Sequence, residues 1–290
     1  MKKKVFVLGS INQDISIETA IFPKEGETVN GKDLKIALGG KGANQAIALK
    51  RGGADVSFLG KVGKDEFGKN MSKTLSDYGL DTSNISISKK ENTGVAIIVL
   101  NNRNNRIILS HGANYDIKEE EVISFLEKAN KGDYFLSQYE NDSKITAFSF
   151  KRAKEIGLTT VWNPSPIGDY PEDLLSYIDI LVVNENEGKE ILSKERKKDL
   201  KELGIPTIVL TLGEKGSVFY SKNEEIRVPA KKIEPIDTTG AGDTFLGFFL
   251  ASLANGKEEK ESLEIATRAS ALACLKRGAS EAIPSLEDVL

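Results

Sequence analysis

Short apolar runs recur along this chain with helical sequence between them, and that alternation restricts the fold more than any single residue does. "KVFVLGS" (Lys4 to Ser10), "DVSFLGKVG" (Asp55 to Gly63), "DYFLSQ", "LTTVWNPSP", "DILVVNENE" and "PTIVLTLG" each carry a brief apolar core. Between the first two, "GANQAIALKRGG" sets Ala43, Ala46, Ile47 and Leu49 on a helical stripe that Gly52 and Gly53 stop. "DEFGKNMSKTLSDYGL" brings Phe67, Met71, Leu75 and Tyr78 near one helical face. Apolar strands separated by helices predict a parallel sheet covered on both faces.

Two regions break the rhythm. "DISIETAIFPKEGETVNGKDLKIALGG" and "TGVAIIVLNNRNNRIILSHGAN" alternate and turn without an intervening helix, the second as a hairpin around "NNRNN". They read as a small β lid, about residues 14–38 and 93–111, standing over the strand ends where α/β proteins bind ligands. A pair of plain edge hairpins fits the alternation equally well. No repeat, low-complexity segment or proline-rich linker divides the 290 residues, so residues 1–290 are expected to form one domain with a lid.

Charge and composition narrow the function. The 40 basic and 43 acidic residues give a net charge of −3 without a basic stripe, which argues against nucleic acid or an anionic membrane as partner. A single cysteine, Cys274, excludes an internal disulfide, and with one histidine, His111, a zinc site is not expected. The apolar run in "MKKKVFVLGS" is too short for a signal peptide and reads as a first strand, so the cytoplasm is the expected location.

Neither a Walker A loop nor a dinucleotide fingerprint is present: Gly42 follows Gly40–Lys41, and "GSINQD" lacks spaced glycines. "DTTGAGDTFLGFFLASLANG", Asp237 to Gly256, is the more informative stretch. Gly240 and Gly242 free backbone N–H groups at a helix start, a setting for a transferring phosphoryl group, with Asp243 placed to take a proton from an attacking hydroxyl. The competing reading is that Asp243 caps its own helix. "GGKGANQA" is a second glycine-dense loop, with Lys41 and Asn44 as donors for a polyhydroxylated ligand. "INQD" adds Asn12 and Asp14, and "SQYEN" adds Glu140 at another strand end. In "NENE", Asn184 and Glu187 either flank a hydrated magnesium ion or form a capping box. "TLGEKGSVFY" is a strand, a turn shaped by Gly213 and Gly216, and a strand.

In this order and spacing, "GSINQD", "GGKGANQA", "GKVGKDEFG", "HGAN", "WNPSP", "VVNENE", "TLGEKG", "DTTGAGDTF" and "KRGA" resemble the ribokinase/PfkB family of carbohydrate and nucleoside kinases over nearly the whole chain. The resemblance implies a three-layer α/β/α sandwich with a mostly parallel central sheet and a β lid, and transfer of the ATP γ-phosphoryl to the 5-hydroxyl of D-ribose. It implies Asp243 as general base and the N–H groups of Gly240, Ala241 and Gly242 as anion hole. Asn12, Asp14, Gly40, Lys41, Gly42, Asn44 and Glu140 match sugar contacts. Asn184, Thr211, Gly213, Gly216, Gly242 and Thr267 match nucleotide contacts, and Glu187 matches the acid associated with Mg2+. A K+ site maps to Asp237, Thr239, Ala273, Lys276, Gly278 and Ala282, the last standing where a hydroxyl residue is common. Family members commonly dimerise through the lid. Fructose, 2-keto-3-deoxygluconate or adenosine as acceptor, or a catalytically silent sugar sensor, remain alternative readings.

Overall fold

Residues 2–101 and 104–290 are described by the computed structural model. The centre of the expected "NNRNN" turn, residues 102 and 103, lies outside them. Among the described residues thirteen strands form two sheets. The larger runs in the order β13-β12-β11-β10-β9-β8-β1-β4-β5, built from β1 (Lys4–Leu8), β4 (Asp55–Gly63), β5 (Ile85–Ser88), β8 (Tyr134–Ser137), β9 (Thr159–Trp162), β10 (Ile180–Asn184), β11 (Thr207–Thr211), β12 (Ser217–Ser221) and β13 (Glu225–Val228). From β5 to β11 every pairing is parallel; β12 and β13 add an antiparallel edge.

Strand β1 shows why the apolar runs are continuous. Val5 and Val7 enter one core cluster, with Ile47, Phe248 and Phe249, while Phe6 and Leu8 enter the other, with Phe135, Phe150 and Trp162. Helices α1 (Lys41–Arg51), α2 (Glu66–Asp77), α6 (Ala241–Ala254) and α7 (Glu259–Ala273) supply the first cluster, and α3 (Glu119–Leu126), α4 (Ser143–Ile156) and α5 (Glu185–Glu195) the second. The short α8 (Leu286–Val289) follows. A strand with a core on each face has no polar side to alternate with. Helix α6 is apolar nearly all round because it is buried between α1 and α7, where Gly247 lies directly against Ala48.

The smaller sheet has the order β3-β2-β6-β7, with β2 (Asn12–Thr19), β3 (Gly31–Gly39), β6 (Gly94–Asn101) and β7 (Asn104–Ser110). Its register puts Ile36, Ile15, Ile97 and Ile108 in one cross-strand row. Ile36 and Ile108 are 60% and 68% exposed, so this face of the sheet is apolar and open. Neighbouring residues on the opposite pleat, Asp14, Ser16 and Ile98 among them, line a cavity of about 880 Å³. The far wall of that cavity is the segment from Pro235 to Thr239 together with Arg277 to Ala279 and Glu281.

Candidate active site

The two glycine-rich loops meet at the ends of β1 and β8. Helix α1 starts directly after Gly40, whose φ of 91° is a conformation open to glycine, and Gly42 lies so close to the backbone of Gly9 and Ser10 that a side chain there would collide with it. This approach delivers the first turn of α1 to the carboxylate of Glu140, which follows β8. One oxygen, Oε2, accepts from the Lys41 main-chain N–H at 3.0 Å, from Ser10 Oγ at 2.5 Å and from Asn12 Nδ2 at 3.3 Å. The other, Oε1, carries no hydrogen bond among the described residues. Asn12, Glu140 and the α1 N-terminus, read separately from the sequence, are therefore one cluster.

Asp243 belongs to the same cluster from the other side. It sits in the first turn of α6, 7% exposed, and its carboxylate does not cap that helix. Gly240 occupies the N-cap in the left-handed region at φ 73°, where a side chain would be strained and its Cβ would stand 3.0 Å from Ala279 Cα. Asp243 Oδ1 instead accepts from Gln45 Nε2 at 2.8 Å, and Oδ2 from Asn44 Nδ2 at 3.3 Å. The capping reading is not the one realised. Asn44 Oδ1 is buried without a partner among the described residues, a spare acceptor beside the acid.

The three backbone groups of the "GAG" turn are not equivalent. Ala241 N–H closes a turn onto the Thr238 carbonyl at 3.2 Å, whereas Gly242, second in the helix, has no intrahelical acceptor for its N–H. Gly242 is exposed, and a Cβ there would meet nothing within 4 Å. Open space therefore faces the positive end of α6.

Asp14, on β2, has no hydrogen-bond partner among the described residues and lines the large cavity. Burial, reinforced by the carboxylates of Glu140, Asp243 and Glu281, pushes its pKa up to about 7. For Lys41, burial would loosen the proton, but Asp243, Glu140 and Glu187 outweigh it and the ammonium is held above its ordinary value. Its charge thus sits among acids from the start of α6, from the segment after β8 and from α5.

The remaining predicted residues spread along the β10–β11 edge and the α7 end. Asn184 and Glu187 form a capping box: Asn184 Oδ1 accepts from Asn186 and Glu187 N–H groups at 2.9 Å, and Glu187 Oε2 accepts from Asn184 N–H at 2.9 Å. Thr211 Oγ1 donates to the Val183 carbonyl at 3.3 Å. Gly213 and Gly216, both at positive φ, bound the tight turn into β12. Thr267 is buried on α7 with its hydroxyl unpartnered.

Asp237 is drawn to the loop after α7. Ile236 N–H reaches the Cys274 carbonyl at 2.8 Å, and Asp237 accepts from Gly278 N–H at 3.0 Å and from the Thr239 hydroxyl at 2.6 Å. Against burial, which acts upward, these donors hold its carboxyl below the usual range. Cys274 caps the C-terminus of α7 and is buried.

Four amides escaped assignment from the sequence although their motifs were noted: Gln45, Asn114, Gln138 and Asn163. Asn114, 1% exposed, brackets Ile11 by accepting from its N–H at 2.9 Å and donating to its carbonyl at 3.2 Å, and donates to Asn12 Oδ1 at 2.7 Å. The Asn12 amide is thereby fixed with Oδ1 toward Asn114 and Nδ2 toward Glu140. Their one sequence signal is position, each standing within a motif at a strand or loop end.

A doubly covered, mostly parallel sheet, glycine-rich helix starts and a buried acid beside them are parts that phosphoryl transfer to a hydroxyl can use. The chain belongs to the pfkB family of carbohydrate kinases, matching it over residues 2–286. Within it, the chain is 37% identical to a ribokinase of Haemophilus influenzae, across all of this chain and 98% of that one. Its fold superimposes on a ribokinase of Thermotoga maritima with a TM-score of 0.90, at 29% identity, covering 99% of this chain and 98% of the other. A ribokinase of Arabidopsis thaliana solved with ribose and ATP gives 0.86 at 29% identity, covering 100% and 98%.

Proposed function

We propose that this kinase transfers the γ-phosphoryl group of ATP to the 5-hydroxyl of D-ribose, yielding D-ribose 5-phosphate, with Asp243 as the general base. The observation that carries the reading is the placement of one buried carboxylate, Asp243, between a sugar-type hydrogen-bonding cluster and the open N-terminus of α6. The curated relatives at 33–37% identity are ribokinases, ahead of deoxyribokinases at 30%, which favours ribose over other acceptors.

Sugar hydroxyls find acceptors in Glu140 Oε1, Asn44 Oδ1 and Asp14, and a donor in the second N–H of Asn12, since its first is held by Glu140. Gly40 and Gly42 shape the start of α1 there, and Lys41 brings its ammonium to the same end as a donor. Asp243 takes the proton of the attacking hydroxyl as that oxygen approaches the γ-phosphorus in line. Charge developing on the phosphoryl oxygens faces the N–H groups of Gly240 and Gly242, with Ala241 joining once its turn bond to Thr238 yields. The Lys41 ammonium adds positive charge at the same place. The small sheet acts as a lid whose closure excludes water, and residues 1–290 work as one domain.

Among the described residues no group of three or more His, Cys, Asp or Glu is arranged to hold a metal. That suits Mg2+ carried largely by nucleotide phosphates and water, with Glu187 as a nearby acid. Magnesium supplies charge neutralisation on the phosphates. Asp237, an ionised carboxylate among the carbonyl-bearing residues Thr239, Ala273, Lys276 and Gly278, with Ala282 close by in sequence, offers the all-oxygen donor set K+ takes. Asn184, Thr211, Gly213, Gly216 and Thr267 hold the nucleotide. No helix of the described residues is long and apolar enough to cross a membrane. The open isoleucine row gives the lid an apolar face through which two copies pair.

An ADP-release assay over D-ribose, 2-deoxyribose, fructose, 2-keto-3-deoxygluconate and adenosine tests the substrate. D-ribose should give the highest kcat/KM; a larger value for another acceptor reassigns it, and sugar binding without ADP release makes the chain a sensor. Asp243→Asn should lower kcat by at least ~10²-fold with ribose affinity nearly intact. Wild-type turnover in that variant removes Asp243 as base.

A further inference from the structure

The acid at the centre of the site is held by a chain of carboxamides, Gln45 and Gln138 fully buried and Asn163 half-buried. Gln45 Nε2 donates to Asp243 Oδ1 at 2.8 Å and to Asn163 Oδ1 at 2.9 Å. Gln138 Nε2 donates to Gln45 Oε1 at 2.7 Å, and Asn163 Nδ2 donates to the Val182 carbonyl at 2.9 Å. Gln45 and Gln138 are both fully buried, so neither amide is turned by solvent. The polarity of the chain is set at its Val182 end. Val182 offers only an acceptor, so Asn163 must turn its NH2 toward it and its oxygen toward Gln45. Gln138 presents its NH2 to Gln45 Oε1, which leaves Gln45 Nε2 with both hydrogens to give, one to Asn163 and one to Asp243.

We infer that Gln45 is a positioning residue for the phosphoryl-transfer reaction: it fixes one oxygen of Asp243 as a permanent acceptor and leaves Oδ2, bonded only at 3.3 Å to Asn44, as the oxygen that meets the sugar hydroxyl. The inference rests on Asp243 being the general base. Donation from a neutral amide orients the carboxylate without adding a charge to a pocket that already holds acids. Those neighbours are Asp14 on β2, Glu140 after β8, Glu187 on α5 and Glu281 after α7, with Lys41 at the start of α1 opposing them. A glutamine serves where a second carboxylate would compete for the proton and a lysine would pair with Asp243 and block it.

The test compares kcat and the ribose KM of wild type, Gln45→Met, Gln45→Glu and Asp243→Asn with D-ribose and Mg-ATP. Gln45→Met should lower kcat about 10-fold or more and leave the ribose KM within about threefold, because Asp243 loses the donor that orients it while the sugar contacts stay. Gln45→Glu keeps the shape and an acceptor for Gln138, so it guards against a Gln45→Met that fails to fold. Its kcat should fall at least as far, since an acceptor oxygen then faces Asp243 Oδ1 where the donor stood. Wild-type kcat in whichever Gln45 variants fold, with Asp243→Asn inactive, overturns the role of Gln45 alone. Wild-type turnover in Asp243→Asn overturns the base assignment on which that role depends.

Discussion

Asp14 should be a residue that the fold tolerates rather than welcomes, and Asp14→Asn measures by how much. The side chain is partly buried, bonds to nothing among the described residues, and faces Glu140, Asp243 and Glu281. Its pKa of about 7 in the folded chain, against an ordinary 3.8, means the folded state binds the proton more tightly than the unfolded one. Between those values stability must fall as pH rises, since unfolding then releases a proton. The favourable contribution is complete below 3.8 and lost once pH has passed about 7. At about 1.4 kcal/mol per pH unit, the whole interval corresponds to about 4 kcal/mol. Asp14→Asn keeps the shape and cannot ionise, so it should exceed the wild type in stability by up to about 4 kcal/mol at pH 8.5, or roughly 8 °C in Tm for a chain of this size. At pH 5.5 the advantage should shrink to about half. The same variant should bind ribose at least ~10-fold more weakly, because a charged acceptor is replaced by an amide. Urea titrations and thermal melts at the two pH values, without ligand, read the difference. A stability gain that does not change with pH, or a loss at pH 8.5, refutes the electrostatic reasoning.

Asp65, the N-cap of α2, accepts from Gly68 N–H at 2.8 Å, Thr93 N–H at 2.8 Å and the Thr93 hydroxyl at 2.6 Å, tying the helix to the start of β6. Asp65→Ala should cost about 2–4 kcal/mol in urea unfolding at pH 7. Burial pushes the Asp65 pKa up, but these donors outweigh it and hold it low, so the difference should fade as pH drops through the folded-state pKa. Replacing K+ by Na+ or Li+ should reduce kcat, and Asp237→Asn should remove that ion dependence; equal rates in all three ions would discard the mapped site. Ile108→Glu, placing a charge in the exposed isoleucine row, should shift the protein from dimer to monomer in sedimentation with the secondary structure unchanged. A wild-type monomer, or an unchanged dimer, moves the pairing surface elsewhere.

The layered architecture was legible because burial on two faces leaves a direct mark on composition: Val5, Phe6, Val7 and Leu8 are all apolar since each side of β1 meets a core. Edge strands leave less. β5 and β13, four residues each with one exposed flank, carry no comparable run and were not anticipated. The acid in "GAGD" and the Asn–Glu pair of "NENE" show a second limit. Both spacings allow a helix cap; Glu187 makes one, while Asp243 turns away to Asn44 and Gln45.

What the chain's order of residues determined by itself was local: where strands and helices lie, which turns need glycine, and which side chains carry ionisable or carboxamide groups. Partnership was decided only in three dimensions. Asp243 finds Gln45 across 198 positions, and Asn12 finds Glu140 across 128, because parallel strands carry distant loops to one sheet edge. Neutral amides such as Gln45, Gln138 and Asn114 have no periodicity and no titration to betray them. Their roles arise from the direction of hydrogen bonds in a buried network, and direction exists only once the chain has folded.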